Sequence, residues 1–246
     1  MGKNLINTNI QSLRLLKEAG VTDNLNEFPI NRFNIKESFK NEDIENNSQT
    51  MNLKTEQQLL KIQDLKELQR FIDNFKGCAL YKEANNVVFS DGNPNSKIML
   101  IGEAPGHDED IEGKPFVGRS GKLLDKMLNA IDLDRKKVYI ANIIPWRPPA
   151  NRKPTENEIE ICLPLIHKHI ELINPKVLLL LGSTSTYALL KDKTPITKIR
   201  GRWFTLNING KNIQAMPTFH PAFLLRQQKQ KKYVWEDLQN IRDSIK

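Results

Sequence analysis

Three short stretches of the chain are apolar without alternation: Ile98-Met99-Leu100-Ile101, Val138-Tyr139-Ile140-Ala141 and Val177-Leu178-Leu179-Leu180-Leu181. Such runs, too short for a helix and bounded by charged or small polar residues, predict strands buried on both faces, as in a parallel sheet. Segments of helical period lie between them. One starts at Ser120, placed as an N-cap, and runs through Leu128. A second opens with the capping-box pair Thr155 and Glu158 and extends to about Asn174. Ser183 or Thr184 starts a third, through Leu190. Upstream, Leu59, Leu60, Ile62, Leu65, Leu68, Ile72 and Phe75 recur near the helical period and predict one amphipathic helix from Gln57 to Phe75, ended by Gly77.

After a basic loop from Thr197 to Arg202, Trp203 to Ile208 and Asn212 to Met216 flank Asn209-Gly210, a hairpin signal. A strand leading to His220, a run of cations and a terminal helix from about Tyr233 complete the pattern. Strands alternating with helices, with a fourth after the hairpin, predict an α/β fold: a three-layer α/β/α sandwich on a central four-stranded parallel sheet. Ahead of it, residues 9–20 read as a short amphipathic helix ending at Gly20, and residues 34–55 turn to Asn, Glu, Lys and Ser. The expected division is a helical extension at 1–33, a flexible linker at 34–55 and an α/β domain at 56–246.

The 246 residues suffice for a sizeable core. A net charge of +8 favours a polyanionic partner, weakly on its own. Two cysteines, Cys78 and Cys162, argue against a disulfide framework and for a reducing compartment. No apolar run approaches the ~20 residues of a membrane span, and the first residues lack a secretory apolar core. A cytoplasmic protein is expected, with no membrane partner.

The chemistry concentrates where the strands end. Gly102 to Gly118 is a loop punctuated by Gly102, Pro105, Gly106, Gly113, Pro115 and Gly118, read as neither helix nor strand, and long for a connection with no task. If the strands are parallel, Glu103, Asn142, Gly182–Ser183 and His220 meet along one edge of the sheet, where α/β folds bind ligands. Asn142 offers a donor and an acceptor side by side, the complement of uracil N3–H and O4. Phe116 could stack under such a ring, and His220, held extended by Pro221, could donate to a developing oxyanion. Each also has a plain structural reading: Asn142 tying a turn, Phe116 in the core, His220 capping a strand.

Gly102-Glu103-Ala104-Pro105-Gly106 with Glu109-Asp110, Pro115-Phe116-Val117-Gly118, Asn142, Arg147-Pro148-Pro149 with Asn151-Arg152, and His220-Pro221-Ala222 with Leu224-Leu225-Arg226 resemble, in order and spacing, the family 4 uracil-DNA glycosylases of bacteria and archaea. The resemblance covers roughly Lys76 to Lys246. It implies excision of uracil from single- or double-stranded DNA by a monomer that leaves an abasic site. By position it places Gly102, Glu103, Ala104 and Gly106 around the uracil pocket and Phe116 against the base. Asn142 would read the base edge, and His220 would stabilise the departing anion near O2. Glu109 would be the barrier to the C5 methyl of thymine, since Gly106 stands where other glycosylase families have tyrosine. Glu103 or the backbone would position the attacking water, because Ala104 replaces the aspartate of relatives. Leu224, Leu225 and Arg226 would enter the minor groove, with Ser120, Arg147, Arg152 and Ser183 near phosphates.

The family's 4Fe–4S cluster needs four thiolates. Cys78 and Cys162 match two of the positions, but Phe75 and Trp146 occupy the other two, so the cluster is expected to be absent and no metal or cofactor is expected. Two rivals remain: a non-catalytic binder of uracil-containing or abasic DNA on the same fold, and a nucleotide-dependent Rossmann-like protein. The latter is opposed by the lack of a Gly-x-Gly-x-x-Gly order after the strand.

Overall fold

The first of the three apolar runs becomes the middle of a sheet. A computed structural model describes residues 55–245, to which every structural statement below refers. The expected extension at 1–33 and all but Thr55 of the linker lie outside them. The strands are β1 (Asp91–Gly92), β2 (Ile98–Gly102), β3 (Tyr139–Asn142), β4 (Val177–Leu181), β5 (Phe204–Ile208) and β6 (Lys211–Thr218). Their order in one sheet is β1-β3-β2-β4-β6-β5. The four inner strands are parallel, and β1 and β5 pair antiparallel at the two edges.

Every residue of β2, β3 and β4 is buried, and successive residues face opposite layers. Met99, Ile101, Leu178 and Leu180 pack with Leu68 and Ile72 of α1 (Leu65–Asn74) and Ile166 and Ile170 of α4 (Glu156–Ile173). Ile98, Leu100, Leu179 and Leu181 pack with Leu124 and Leu128 of α3 (Arg119–Asn129) and Leu238 and Ile241 of α8 (Lys231–Ser244). Two apolar layers on one sheet make the three-layer α/β/α sandwich. At about 25 cal/mol per Å² of buried apolar surface, these layers dominate the stability. Among the described residues, no helix is long and apolar enough to cross a membrane.

Several local expectations are corrected. The four parallel strands stand as expected, and the sheet adds antiparallel β1 and β5 at its edges; the two residues of β1 are too few to carry periodicity. The hairpin's second arm and the fourth parallel strand are one strand, β6. Pro217 lies past the end of the β5 pairing, where one side of β6 has no neighbouring strand to serve. Asn209 and Gly210 take the positive φ of 49° and 81° that the turn requires. The single helix from 57 to 75 is two: residues 55–59 are helical, and α1 starts afresh where the Asp64 carboxylate accepts the Glu67 N–H at 2.8 Å. The punctuated loop contains a helix, α2 (His107–Glu112), whose flanking glycines mark its ends: Gly106 is the N-cap, and Gly113 is left-handed at φ 68°. Gly118, not Ser120, caps α3. The basic loop holds a short helix, α6 (Ile196–Ile199), and α8 starts at Lys231. The Thr155–Glu158 capping box stands as expected.

On the buried face of α4, His169 lies between Phe89, at 4.5 Å between ring centroids, and the Tyr139 hydroxyl at 2.7 Å. Burial lowers its pKa from 6.5 to about 3. The unfolded chain therefore binds a proton between those values that the folded chain refuses, so this contribution to stability is whole above pH 6.5 and is lost as the pH falls toward 3. Urea midpoints measured from pH 8 to 4 should fall on the acid side, and His169→Phe should flatten that decline.

Candidate active site

Parallel pairing puts equivalent strand ends side by side. Gly102 lies opposite Asn142, and Leu181 opposite Thr218. The chain leaves β2 toward β3 on one side and later adds β4 on the other, so the crevice at the carboxyl ends of β2 and β4 is a topological switch point. A cleft of about 580 Å³ opens there. Its walls include Glu103, Ala104, Gly106, Glu109, Phe116, Ser120, Asn142, Arg152, Ser183, His220 and Arg226 from the expected set. Gly102 is not itself a wall residue, but it lies against two that are: a Cβ there would strike Asn142 Oδ1 and lie 2.6 Å from Phe116 Cζ.

Asn142 closes β3 and is only 6% exposed. Among the described residues, its Oδ1 is the one buried side-chain polar atom without a hydrogen-bond partner in the protein. Leaving such an atom unsatisfied costs about 1–3 kcal/mol, so the site holds an acceptor in readiness. Phe116 is buried, and its ring stacks on His220 at 5.5 Å between centroids. Its backbone is left-handed, φ 56°, a conformation costing about 1–3 kcal/mol in a non-glycine residue. The Arg135 guanidinium donates to the carbonyls of Pro115, at 3.0 Å, and of Phe116.

His220 is the N-cap of α7 (Pro221–Arg226), where its Nδ1 accepts the Ala222 N–H at 3.1 Å. A neutral ring with Nδ1 as acceptor carries its proton on Nε2, which makes Nε2–H the donor. Burial, aided by the Arg226 charge, lowers its pKa from 6.5 to about 4, so the ring is neutral at pH 7. Glu103, one residue beyond β2, receives the Thr184 hydroxyl across the switch point, from the first turn of α5 (Ser183–Leu190). Glu109 is buried, and its two carboxylate oxygens accept Gly106 N–H at 3.1 Å and Gly118 N–H at 3.0 Å. It ties together both ends of the loop that carries Phe116.

The rim sorts less uniformly. Ser183 is exposed at the start of α5, and Ser120 lies in the first turn of α3. Arg152 holds Glu158 with two bonds, at 2.8 and 2.6 Å, leaving its charge exposed but partnered. Arg147 donates to Asn151 at 2.7 Å and contacts His107 at 3.1 Å; it stands outside the cleft walls. Leu224 is 1% exposed and belongs to the core, so it is not part of an exposed wedge; Leu225 is half-buried, and Arg226 is exposed. Sequence reasoning missed Thr184 as the partner of Glu103, Phe223 and Lys153 as cleft walls, and Arg135. Position in the helix after β4 could have flagged Thr184; nothing local marks Arg135.

Cys78 and Cys162 are both buried, in the same core cluster as Phe75 and Trp146, whose rings stack at 6.1 Å. A hydrogen bond with Cys162 lowers the Cys78 pKa, while that bond and burial push Cys162 well up. Two thiols and two aromatic rings do not supply the four thiolates of an iron–sulfur cluster. Among the described residues, no group of three or more His, Cys, Asp or Glu side chains could hold a metal ion.

The cleft thus brings together an aromatic ring, an amide and a neutral imidazole, groups chemically suited to a flat heterocycle. Residues 89–239 match the family model of the uracil DNA glycosylase superfamily. The chain is 43% identical over 173 residues to the type-4 uracil-DNA glycosylase of Saccharolobus solfataricus, covering 68% of this chain and 80% of that protein. It is 39% identical over 175 residues to that of Thermotoga maritima, covering 69% and 88%. The match to that of Archaeoglobus fulgidus is 37% over 168 residues, covering 67% and 84%. The chain belongs to the uracil-DNA glycosylase superfamily, among its type-4 members.

Replacing Glu109 with Gln turns an NH₂ toward one of two backbone N–H donors. Glu109→Gln is expected to cost about 1–3 kcal/mol in urea denaturation, with the fold retained by circular dichroism.

Proposed function

We infer that the protein excises uracil from DNA, hydrolysing its N-glycosidic bond and leaving an abasic site for base-excision repair. The observation that carries this reading beyond family membership is the unpaired Asn142 Oδ1 at the foot of the cleft, beside Phe116. An acceptor there suits uracil N3–H, and the amide's own NH₂ suits O4; cytosine presents the reverse pattern. A uracil inside a duplex is out of reach, so the nucleotide is extruded at a cost of about a few kcal/mol. Contacts to phosphates from Ser183, Arg147, Arg152 and the first turn of α3 at Ser120, with Leu225 and Arg226 at the vacated space, offset that cost.

In the reaction the bond between deoxyribose C1′ and uracil N1 breaks, and its electron pair stays with uracil. Charge spreads to O2, where His220 Nε2–H donates. A water adds its oxygen to C1′, and the proton it gives up neutralises the departing uracil anion through solvent. Glu103, held by Thr184, is the carboxylate placed to orient that water. Glu109, fixed by two backbone donors, is a rigid wall against the thymine methyl. The protein acts as a monomer on single- or double-stranded DNA in the reducing cytoplasm. No iron–sulfur cluster forms: Phe75 stacked on Trp146 takes its place as the local packing.

Single-turnover release of free uracil from an oligonucleotide, with uracil opposite guanine, opposite adenine and unpaired, tests the enzymatic reading. Wild-type protein is expected to release uracil. His220→Ala and Asn142→Ala should each slow release about 10²- to 10³-fold, the worth of one preorganised donor or acceptor at a developing anion. DNA bound with no base released would instead favour a non-catalytic binder. For the second claim, anaerobically purified protein should be colourless and free of iron, whereas Phe75→Cys/Trp146→Cys, which restores four thiols, should gain iron and brown colour.

A further inference from the structure

Arg135 lies on the loop between α3 and β3, outside every motif that marks the cleft. Each of its three side-chain nitrogens nonetheless donates a hydrogen bond. Nε donates to Asp125 at 2.8 Å, one terminal nitrogen donates to Asp91 at 2.6 Å and to the Pro115 carbonyl at 3.0 Å, and the other donates to the Phe116 carbonyl. Two carboxylates thus hold a planar fork whose remaining donors grip consecutive backbone carbonyls at Phe116, a cleft-wall residue that is not glycine yet has positive φ. The same stretch of backbone is also confined by α3. A Cβ at Gly121 would overlap the Phe116 carbonyl and lie 2.8 Å from its Cα, so α3 seats directly against it.

We propose that Arg135 is a positioning residue for base excision: its guanidinium fixes the left-handed backbone of Phe116 and so sets the ring on which the everted base stacks. The inference rests on the reading of Phe116 as the stacking ring. Arg135 touches neither cleft nor substrate, and its effect reaches the base only through Phe116. A lysine in its place would keep a charge between Asp91 and Asp125 but could not serve both carbonyls and both carboxylates from one nitrogen.

The test uses the full chain and a uracil-containing oligonucleotide. Arg135→Ala and Arg135→Lys should each slow single-turnover release roughly 10- to 100-fold, the scale of a small misplacement of a reacting group. Inhibition by free uracil should weaken by a similar factor, while affinity for the same oligonucleotide carrying an abasic-site analogue stays as in wild type. In a Phe116→Leu background, Arg135→Lys should cost little more, because the two residues act as one unit. Additive losses in that background, or uracil inhibition unchanged in Arg135→Lys, would overturn the proposal. Should Arg135→Ala fail to fold, the lysine variant carries the same comparison. Wild-type protein that releases no uracil would sink the enzymatic reading instead; equilibrium dialysis of free uracil against wild type and Arg135→Lys would then still report on Arg135.

Discussion

Four parallel strands ending at one edge are the constraint from which the rest of this structure follows. Their register sets Gly102 opposite Asn142 and Leu181 opposite Thr218. Strand burial on both faces pins that register, since a slip of one residue would turn Ile98, Leu100 and Leu179 away from the layer they fill. The core therefore does more than stabilise. It delivers an amide, an imidazole and a carboxylate from segments far apart in the chain to one cleft, with little freedom to drift.

The cleft is preorganised by bonds that make no use of a substrate. Glu109 closes the Phe116 loop at both ends, Thr184 holds Glu103, and the Ala222 N–H fixes the tautomer of His220. What is left unpaired is the Asn142 oxygen. The desolvation cost of that oxygen is already met by folding, and any donor that reached it would recover the cost. The same preference for a neutral, dry site appears in the lowered pKa of His220.

Around Cys78 and Cys162 the balance differs from a four-thiolate metal centre. A stacked Phe75–Trp146 pair joins the two thiols in a buried cluster shared by α1 and α4. Aromatic pairs contribute about 0.5–1.5 kcal/mol beyond their area burial, far less than a metal staple. Membership of the type-4 group rests on the family match over residues 89–239 and on the identity to type-4 relatives.

The parallel strands themselves, the capping box at Thr155 and the gathering of Glu103, Asn142 and His220 were legible in the sequence, though not the order of the strands in the sheet. Unbroken apolar runs report burial on both faces, and parallel pairing then dictates where strands end. Helix breaks and short helices were not: Asp64 restarts a helix inside a continuous apolar period, and the glycines around α2 look the same whether they interrupt a helix or cap it. Leu224 reads as part of a wedge by position, yet packing against α3 and the sheet makes it core. Arg135 shows the limit most plainly. Its four partners lie 10 to 44 residues away, so its grip on the Phe116 backbone exists only once the fold has brought Asp91, Pro115, Phe116 and Asp125 around one guanidinium.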